Sequence, residues 1–298
     1  MDIAGLGRYP NADPLVRTII EHDLERNIVE LDAYGFTVIP PEKLGAPPGF
    51  TERLREAILG VYTRRHDVEI DDHRTADLPV PNRRYKQLID EDDAITEAAL
   101  NPVTLAMARW HCGQSAILGV TSSIIKPRGG EDHLMLHNDT HGAPPPQAAY
   151  PHFVNTSWVL TDYDSVDDGP TVFVPGSHRW GRAPTPQEAE FWREGAPVDP
   201  VPLQAKAGSL AVWGGNMWHG AVPRTTPGLR VTLVLGWTRP YMKPVHMWQF
   251  GGISAERVER YPELTRVLGL NHHYPQGDER PEDRPVESFM AAGQDQFA

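Results

Sequence analysis

The chain has 298 residues, 40% hydrophobic and 23% charged, the balance of an ordinary globular protein rather than a disordered or fibrous one. A formal net charge of −12 argues against a nucleic-acid-binding surface, which needs a basic stripe, and no run of about 18 apolar residues exists to span a bilayer. The lone Cys112 excludes an internal disulfide and a cysteine zinc cluster, and the start, MDIAGLGRYPNADP, has neither the basic residues nor the apolar run of a secretory signal, so a cytoplasmic location is expected.

The N-terminal third reads as helical. Over residues 14–34, Val16, Ile20, Leu24 and Ile28 recur four apart with Leu15 and Ile19 beside them, which predicts one amphipathic helix ended by Gly35. A short strand over 36–39 stops at Pro40-Pro41. A second helix follows Thr51, a residue suited to its N-cap, and carries Leu54, Ile58, Val61 and Tyr62 at helical spacing. A third covers about 93–111 and restarts at Asn101-Pro102, where Asn caps and Pro fits the first turn.

The texture changes after about residue 115. SAILGVTSSIIKP, HFVNTSWVLTDYD, PTVFVPGSH, GSLAVWGG and LRVTLVLGWTRP are strand-length, rich in Val, Ile, Leu, Thr or Trp, and bounded by turn residues. Their regular spacing predicts an antiparallel sandwich or barrel. A short helix near 186–194 interrupts the series, and another helical stretch covers roughly 254–269. From about Pro275 the chain is polar and dense in Asp, Glu and Arg, as a frayed tail or a lid would be. No repeat and no clear linker divides it. The expectation is one domain over 1–298: a helical layer at about 14–111, a β core at about 115–250, and a C-terminal helix and tail at 254–298.

LMLHNDTHG holds the only His-x-Asp of the chain, His137 and Asp139. On an extended segment residues i and i+2 share a face, so an imidazole and a carboxylate can bind one cation from neighbouring positions. A lone His-x-Asp arises by chance in a chain with 13 histidines, and a third ligand must come from elsewhere. His219, in GGNMWHGAVPR, qualifies. Two histidines and one carboxylate make a facial triad, which leaves three coordination positions for oxidant and co-substrate. Eleven residues after His219, Arg230 enters the nearly apolar strand LRVTLVLGW, with Thr232 on the same face. A charge there is costly unless it reaches water or a partner neutralises it, and a dicarboxylate would do so through a bidentate contact.

HND (137–139), WHGAVPRTTPGLRVTL (218–233), GPTVFVPGSHRWG (169–181) and YGFTVIP (34–40) together resemble the phytanoyl-CoA dioxygenase family of 2-oxoglutarate oxygenases, over roughly residues 30–240. The resemblance implies a mainly β fold: a double-stranded β-helix, or cupin-like jelly roll, with iron at its open end and an N-terminal helical layer. It implies Fe(II) held by His137, Asp139 and His219, 2-oxoglutarate as co-substrate with its distal carboxylate on Arg230 and Thr232, and O2 as oxidant. Trp158 stands where relatives often carry an aromatic wall beside the co-substrate. Ser177 and His178 lie in the family's PGSH turn, while DDGPTV replaces a more usual NGAL stretch near Asp168.

The implied reaction is oxidation of a C–H bond with release of succinate and CO2, hydroxylation being the default. Asp139 fills the position a halide would need in a halogenase. The acidic balance gives no support for a CoA thioester, so a small or medium natural-product-like metabolite is expected, acted on by a monomer or homodimer. Two other readings stay open: a cupin-like zinc hydrolase or isomerase, which would need no dicarboxylate clamp, and a non-catalytic binding protein. His141 is a candidate pocket residue, with His133 and His152 weaker ones. Trp213, Trp218, Trp237 and Trp248 are expected mostly in the core, and Arg83, Arg84 and Lys86 form a basic knot that suits either solvent or an anionic substrate.

Overall fold

The computed structural model describes residues 12–270, apart from 79–82, 130–132, 141, 247, 249 and 250, and apart from the side chains of 12, 13 and 83–86. His141, the Arg83–Arg84–Lys86 side chains and the polar tail therefore lie outside the described residues.

The N-terminal segment forms two helices rather than one, α1 (Ala12–Glu21) and α2 (Glu25–Tyr34). Asp23 takes φ 50° between them. A four-residue repeat drifts by about 40° per step round a helix of 3.6 residues per turn, so the predicted stripe could not stay on one face. Leu15, Ile19 and Leu24 of the predicted face are buried, as is Leu31, whereas Ile20 is 49% exposed; Val29 is 65% exposed. Gly35 closes α2 as expected, at φ 89° with its N–H on the Leu31 carbonyl. Strand β1 (Phe36–Ile39) follows, then α3 (Phe50–His66). The N-cap of α3 is Gly49 at φ 76°, not Thr51. Helices α4 (Asp93–Leu100) and α5 (Pro102–Cys112) meet at Asn101, whose Oδ1 accepts the Val103 and Thr104 N–H groups.

The remaining strands are β2 (Arg83–Lys86), β3 (Ile117–Lys126), β4 (Leu134–His137), β5 (Phe153–Val159), β6 (Thr171–Phe173), β7 (Val201–Pro202), β8 (Leu210–Gly214), β9 (His219–Ala221) and β10 (Arg230–Thr238). They build two antiparallel sheets, a six-stranded one in the order β1-β8-β5-β10-β3-β2 and a four-stranded one in the order β4-β9-β6-β7. This is the jelly-roll core. Short helices α6 (Pro186–Ala189), α7 (Ala255–Arg260) and α8 (Leu264–Val267) complete the described chain. No helix among the described residues is long and apolar enough to cross a membrane.

Alternation along the six-stranded sheet divides its side chains between two environments. Val154 and Trp158 of β5, Leu210 and Val212 of β8, and Val231, Leu233, Leu235 and Trp237 of β10 join the helices in the main core. The opposite face looks into the barrel, where Val159, Phe173, Trp213 and Met217 cluster. With both faces covered, all seven residues of β5 are buried. Trp213, Trp218, Trp237 and Trp248 are all buried too, as expected.

Trp158 is a correction. It lies on the helix-facing side of β5, 0% exposed, with its Nε1–H donating to the Ala98 carbonyl at 3.3 Å and its ring edge-on to Phe50. One residue of strand phase turns it away from the barrel interior, so it cannot wall a ligand there. Trp158→Ala should therefore cost about 3–5 kcal/mol of stability, read by urea unfolding, and leave co-substrate affinity of the folded protein unchanged.

Candidate active site

His137 ends β4 and His219 begins β9, and the two strands pair so that these residues stand directly opposite each other. Their rings lie 4.3 Å apart. The close approach depends on Gly220, where an added Cβ would lie 2.5 Å from the Leu134 carbonyl oxygen. Each imidazole Nδ1 sits 3.0 Å from the backbone carbonyl two residues earlier, that of Met135 or Met217. A carbonyl only accepts, so Nδ1 carries the proton and the Nε2 lone pair faces inward.

Asp139 stands between the two inward nitrogens, its Oδ1 3.8 Å from His137 Nε2 and its Oδ2 3.4 Å from His219 Nε2. Ligand atoms of all three residues lie within 4.8 Å of one another. The donor set, two neutral imidazoles and one carboxylate converging from two strands and a turn, suits a first-row divalent metal.

Neighbouring segments hold this arrangement. The Asp139 N–H donates to the Gly215 carbonyl at 2.7 Å, and Asn155 Nδ2 donates to Asp139 Oδ2 at 2.6 Å. The PGSH turn braces the approach to His219. Ser177 Oγ accepts the Trp218 N–H at 2.9 Å, and the His178 carbonyl accepts Asn216 Nδ2 at 2.8 Å. His178 itself packs against the end of α2, with Nε2 donating to the Asp32 carbonyl, and burial pushes its imidazole below the usual histidine range. His133 stacks on Trp192, and His152 Nδ1 pairs with the Tyr241 hydroxyl at 2.7 Å; neither belongs to the converging group.

Arg230 and Thr232 share the inward face of β10 and are both buried, Arg230 to 2% exposure. Arg230 Nη1 donates to the Gly169 carbonyl, and its guanidinium carbon lies 5.5 Å from the centre of the Tyr163 ring. Thr232 Oγ1 meets Tyr163 Oη at 2.5 Å. Arg230 Nε has no hydrogen-bond partner among the described residues. An unmatched buried donor on a guanidinium, beside two hydroxyls, fits a carboxylate.

The DDG stretch that departs from the family pattern supports this pocket. Asp168 receives the Asp164 and Ser165 N–H groups and the Thr226 hydroxyl, each at 3.0 Å, and faces Arg224 at 3.5 Å. Burial alone would raise the Asp168 carboxyl. The hydrogen bonds from Ser165, Thr226 and Asp164, with the Arg224 charge, outweigh it and hold the group below the usual carboxylate range. Burial lowers the Arg224 guanidinium in turn, with the Arg230 charge adding to the effect.

Asn155 and Tyr163 are site residues that sequence reasoning missed. Asn155 left a faint signal, since Asn155 and Ser157 put two polar groups on one face of the strand. Tyr163 left none, because it lies beyond β5 and reaches the pocket through a lone bridge to Ala205.

Residues 31–232 match the model of the phytanoyl-CoA dioxygenase family, and the chain belongs to that family. Dioxygenase af480 of Aspergillus fumigatus is 27% identical over 192 residues, covering 64% of this chain; the match spans 60% of that relative's length. HygX from Streptomyces hygroscopicus, solved with nickel and 2-oxoglutarate, superposes with a TM-score of 0.59 at 21% identity over 74% of this chain and 88% of its own. HygX has also been solved with hygromycin B bound. Apo EctD from S. alaskensis gives a TM-score of 0.57 at 19% identity, covering 74% of this chain and 80% of its own. At these identities the structural likeness establishes a shared fold.

The Asp168 network carries a pH signature. A carboxyl whose folded pKa is depressed contributes stability that is present above the unfolded value, about 3.9, and lost as pH falls through the folded value. Asp168→Asn should lower stability by about 1–3 kcal/mol at neutral pH. The gap to wild type should close as the pH drops below about 4, measured by urea unfolding across the acid range.

Proposed function

We propose that this protein is an Fe(II)- and 2-oxoglutarate-dependent dioxygenase, with His137, Asp139 and His219 holding the metal and Arg230, Thr232 and Tyr163 receiving the distal carboxylate of 2-oxoglutarate. The observation that carries the reading is the presence of both halves in one barrel: a two-histidine, one-carboxylate cluster, and a buried guanidinium with an unmatched donor. A zinc hydrolase would use the first and have no need of the second.

Bound Fe(II) with 2-oxoglutarate would supply the oxidant, the co-substrate leaving as succinate and CO2 while one oxygen atom of O2 enters a C–H bond of the substrate. The protein's own part is orientation. The Nδ1 contacts set both imidazoles, and the β4–β9 pairing sets their separation. The buried Arg230 fixes one end of the co-substrate in a region shielded from water, where a charge-assisted contact gains strength. We place the primary substrate among small or medium natural-product metabolites, the class to which the HygX ligand hygromycin B belongs. We read the setting as cytoplasmic, on the acidic chain and the single buried Cys112, and the working unit as a monomer or homodimer.

Two measurements test this. A metabolite screen should detect succinate release that requires Fe(II), 2-oxoglutarate and O2 together. Anaerobic titration of the Fe(II) protein with 2-oxoglutarate should give a visible charge-transfer band. A lysine point charge cannot replace the planar fork, so Arg230→Lys should weaken 2-oxoglutarate by about 2–5 kcal/mol. That is roughly a 30- to several-thousand-fold rise in Kd, with Fe(II) affinity in the absence of 2-oxoglutarate little changed. Unchanged 2-oxoglutarate affinity in both Arg230→Lys and Arg230→Ala would refute the clamp.

A further inference from the structure

Asp139 lies outside the strand ladders, two residues beyond β4. Its backbone is tied to Gly215, but that bond leaves the carboxylate free to turn, because the terminal torsion of an aspartate is broad. Something else must set the carboxylate plane if two oxygens are to stand at fixed distances from two imidazoles.

The group that touches it is Asn155 Nδ2, at 2.6 Å from Oδ2. An ionised carboxylate only accepts, so the amide nitrogen, not the amide oxygen, must face it. Asn155 is well placed to act as a rigid arm. It sits in the middle of β5, hydrogen-bonded between β8 and β10, and is 3% exposed. Its cross-strand neighbour on β8 is Trp213, whose ring packs 5.5 Å from that of His219. One pair of side chains on the six-stranded sheet thus reaches across the barrel and contacts two of the three converging residues. His137 and His219 themselves come from the four-stranded sheet.

We propose that Asn155 is a positioning residue for the metal centre, holding the Asp139 carboxylate in the orientation a divalent cation requires, with Trp213 buttressing His219 beside it. This rests on the metal reading above and adds to it a residue that is not itself a ligand. Asn155 acts through Asp139, so its effect must vanish when Asp139 is gone.

The test is a double-mutant cycle on Ni(II) binding by the apo protein, without 2-oxoglutarate. Ni(II) is the probe because nitrogen and oxygen sites hold it more tightly than Fe(II), which keeps weakened variants measurable. Asn155→Ala, and Asn155→Leu as a second variant that keeps the branched shape without the amide, are first checked for cooperative thermal unfolding. Each should raise the Ni(II) Kd about 10- to 100-fold, as loss of a hydrogen bond to a metal-binding carboxylate does. In an Asp139→Ala background the same substitutions should change the Kd by less than about twofold. Wild-type Ni(II) affinity in a folded Asn155 variant would overturn the proposal. So would an equal loss in the Asp139→Ala background, since that marks a general structural effect. Failure of the wild-type protein to bind Ni(II) at all would remove the metal reading and this inference with it.

Discussion

A guanidinium buried at the end of an apolar strand is the constraint around which this molecule is arranged. A charge removed from water costs several kcal/mol unless hydrogen bonds and counter-charge replace the solvent. Arg230 has the Gly169 carbonyl and the Tyr163 ring, and its buried Nε has no hydrogen-bond partner among the described residues. Asp168, next to Gly169 in the chain, is already committed to Arg224, to the Asp164 and Ser165 N–H groups and to the Thr226 hydroxyl.

The surroundings of Arg230 and of the two histidines are built by different means. Near Arg230, side chains stitch loops together: Asp167 and Asp168 bind Thr225 and Thr226, and Arg224 ties the carbonyls of Asp168, Pro227 and Gly228. Around the histidines, backbone pairing does most of the work. The β4–β9 register aligns the two histidines, Gly220 permits their approach, and the PGSH turn secures the segment before His219. The first arrangement secures charge and the second secures geometry, which is the division that clamping a co-substrate and holding a metal would demand.

Much of this was legible in the sequence because it depends on short-range pattern. The strand-length runs after residue 115, the Asn101-Pro102 restart and Gly35 as a helix stop follow from local chemistry that tertiary packing has no reason to override. His137 and Asp139 stand close for the same reason. The failures concern phase. The four-residue repeat in 14–34 concealed a break at Asp23, because a period of four and a period of 3.6 look alike over two turns. Trp158 sits one position from the inward-facing Val159, and the cue to phase in this run of seven buried residues is the faint one of Asn155 and Ser157. Tyr163 was beyond reach, since the chain has to fold before a loop residue meets Thr232.

The contact between the DDG loop and Arg230 is made by a backbone oxygen, that of Gly169. A carbonyl is supplied by whichever residue occupies the position, provided the backbone can take φ 70° and leave room for Arg224, which favours glycine. The residues on either side carry no such demand. A side-chain change here would act on the contacts of Asp168 with Arg224 and Thr226, while the Gly169 carbonyl would still be there for Arg230. The acceptor that the buried cation meets is thus a property of the backbone path and not of the loop's side chains.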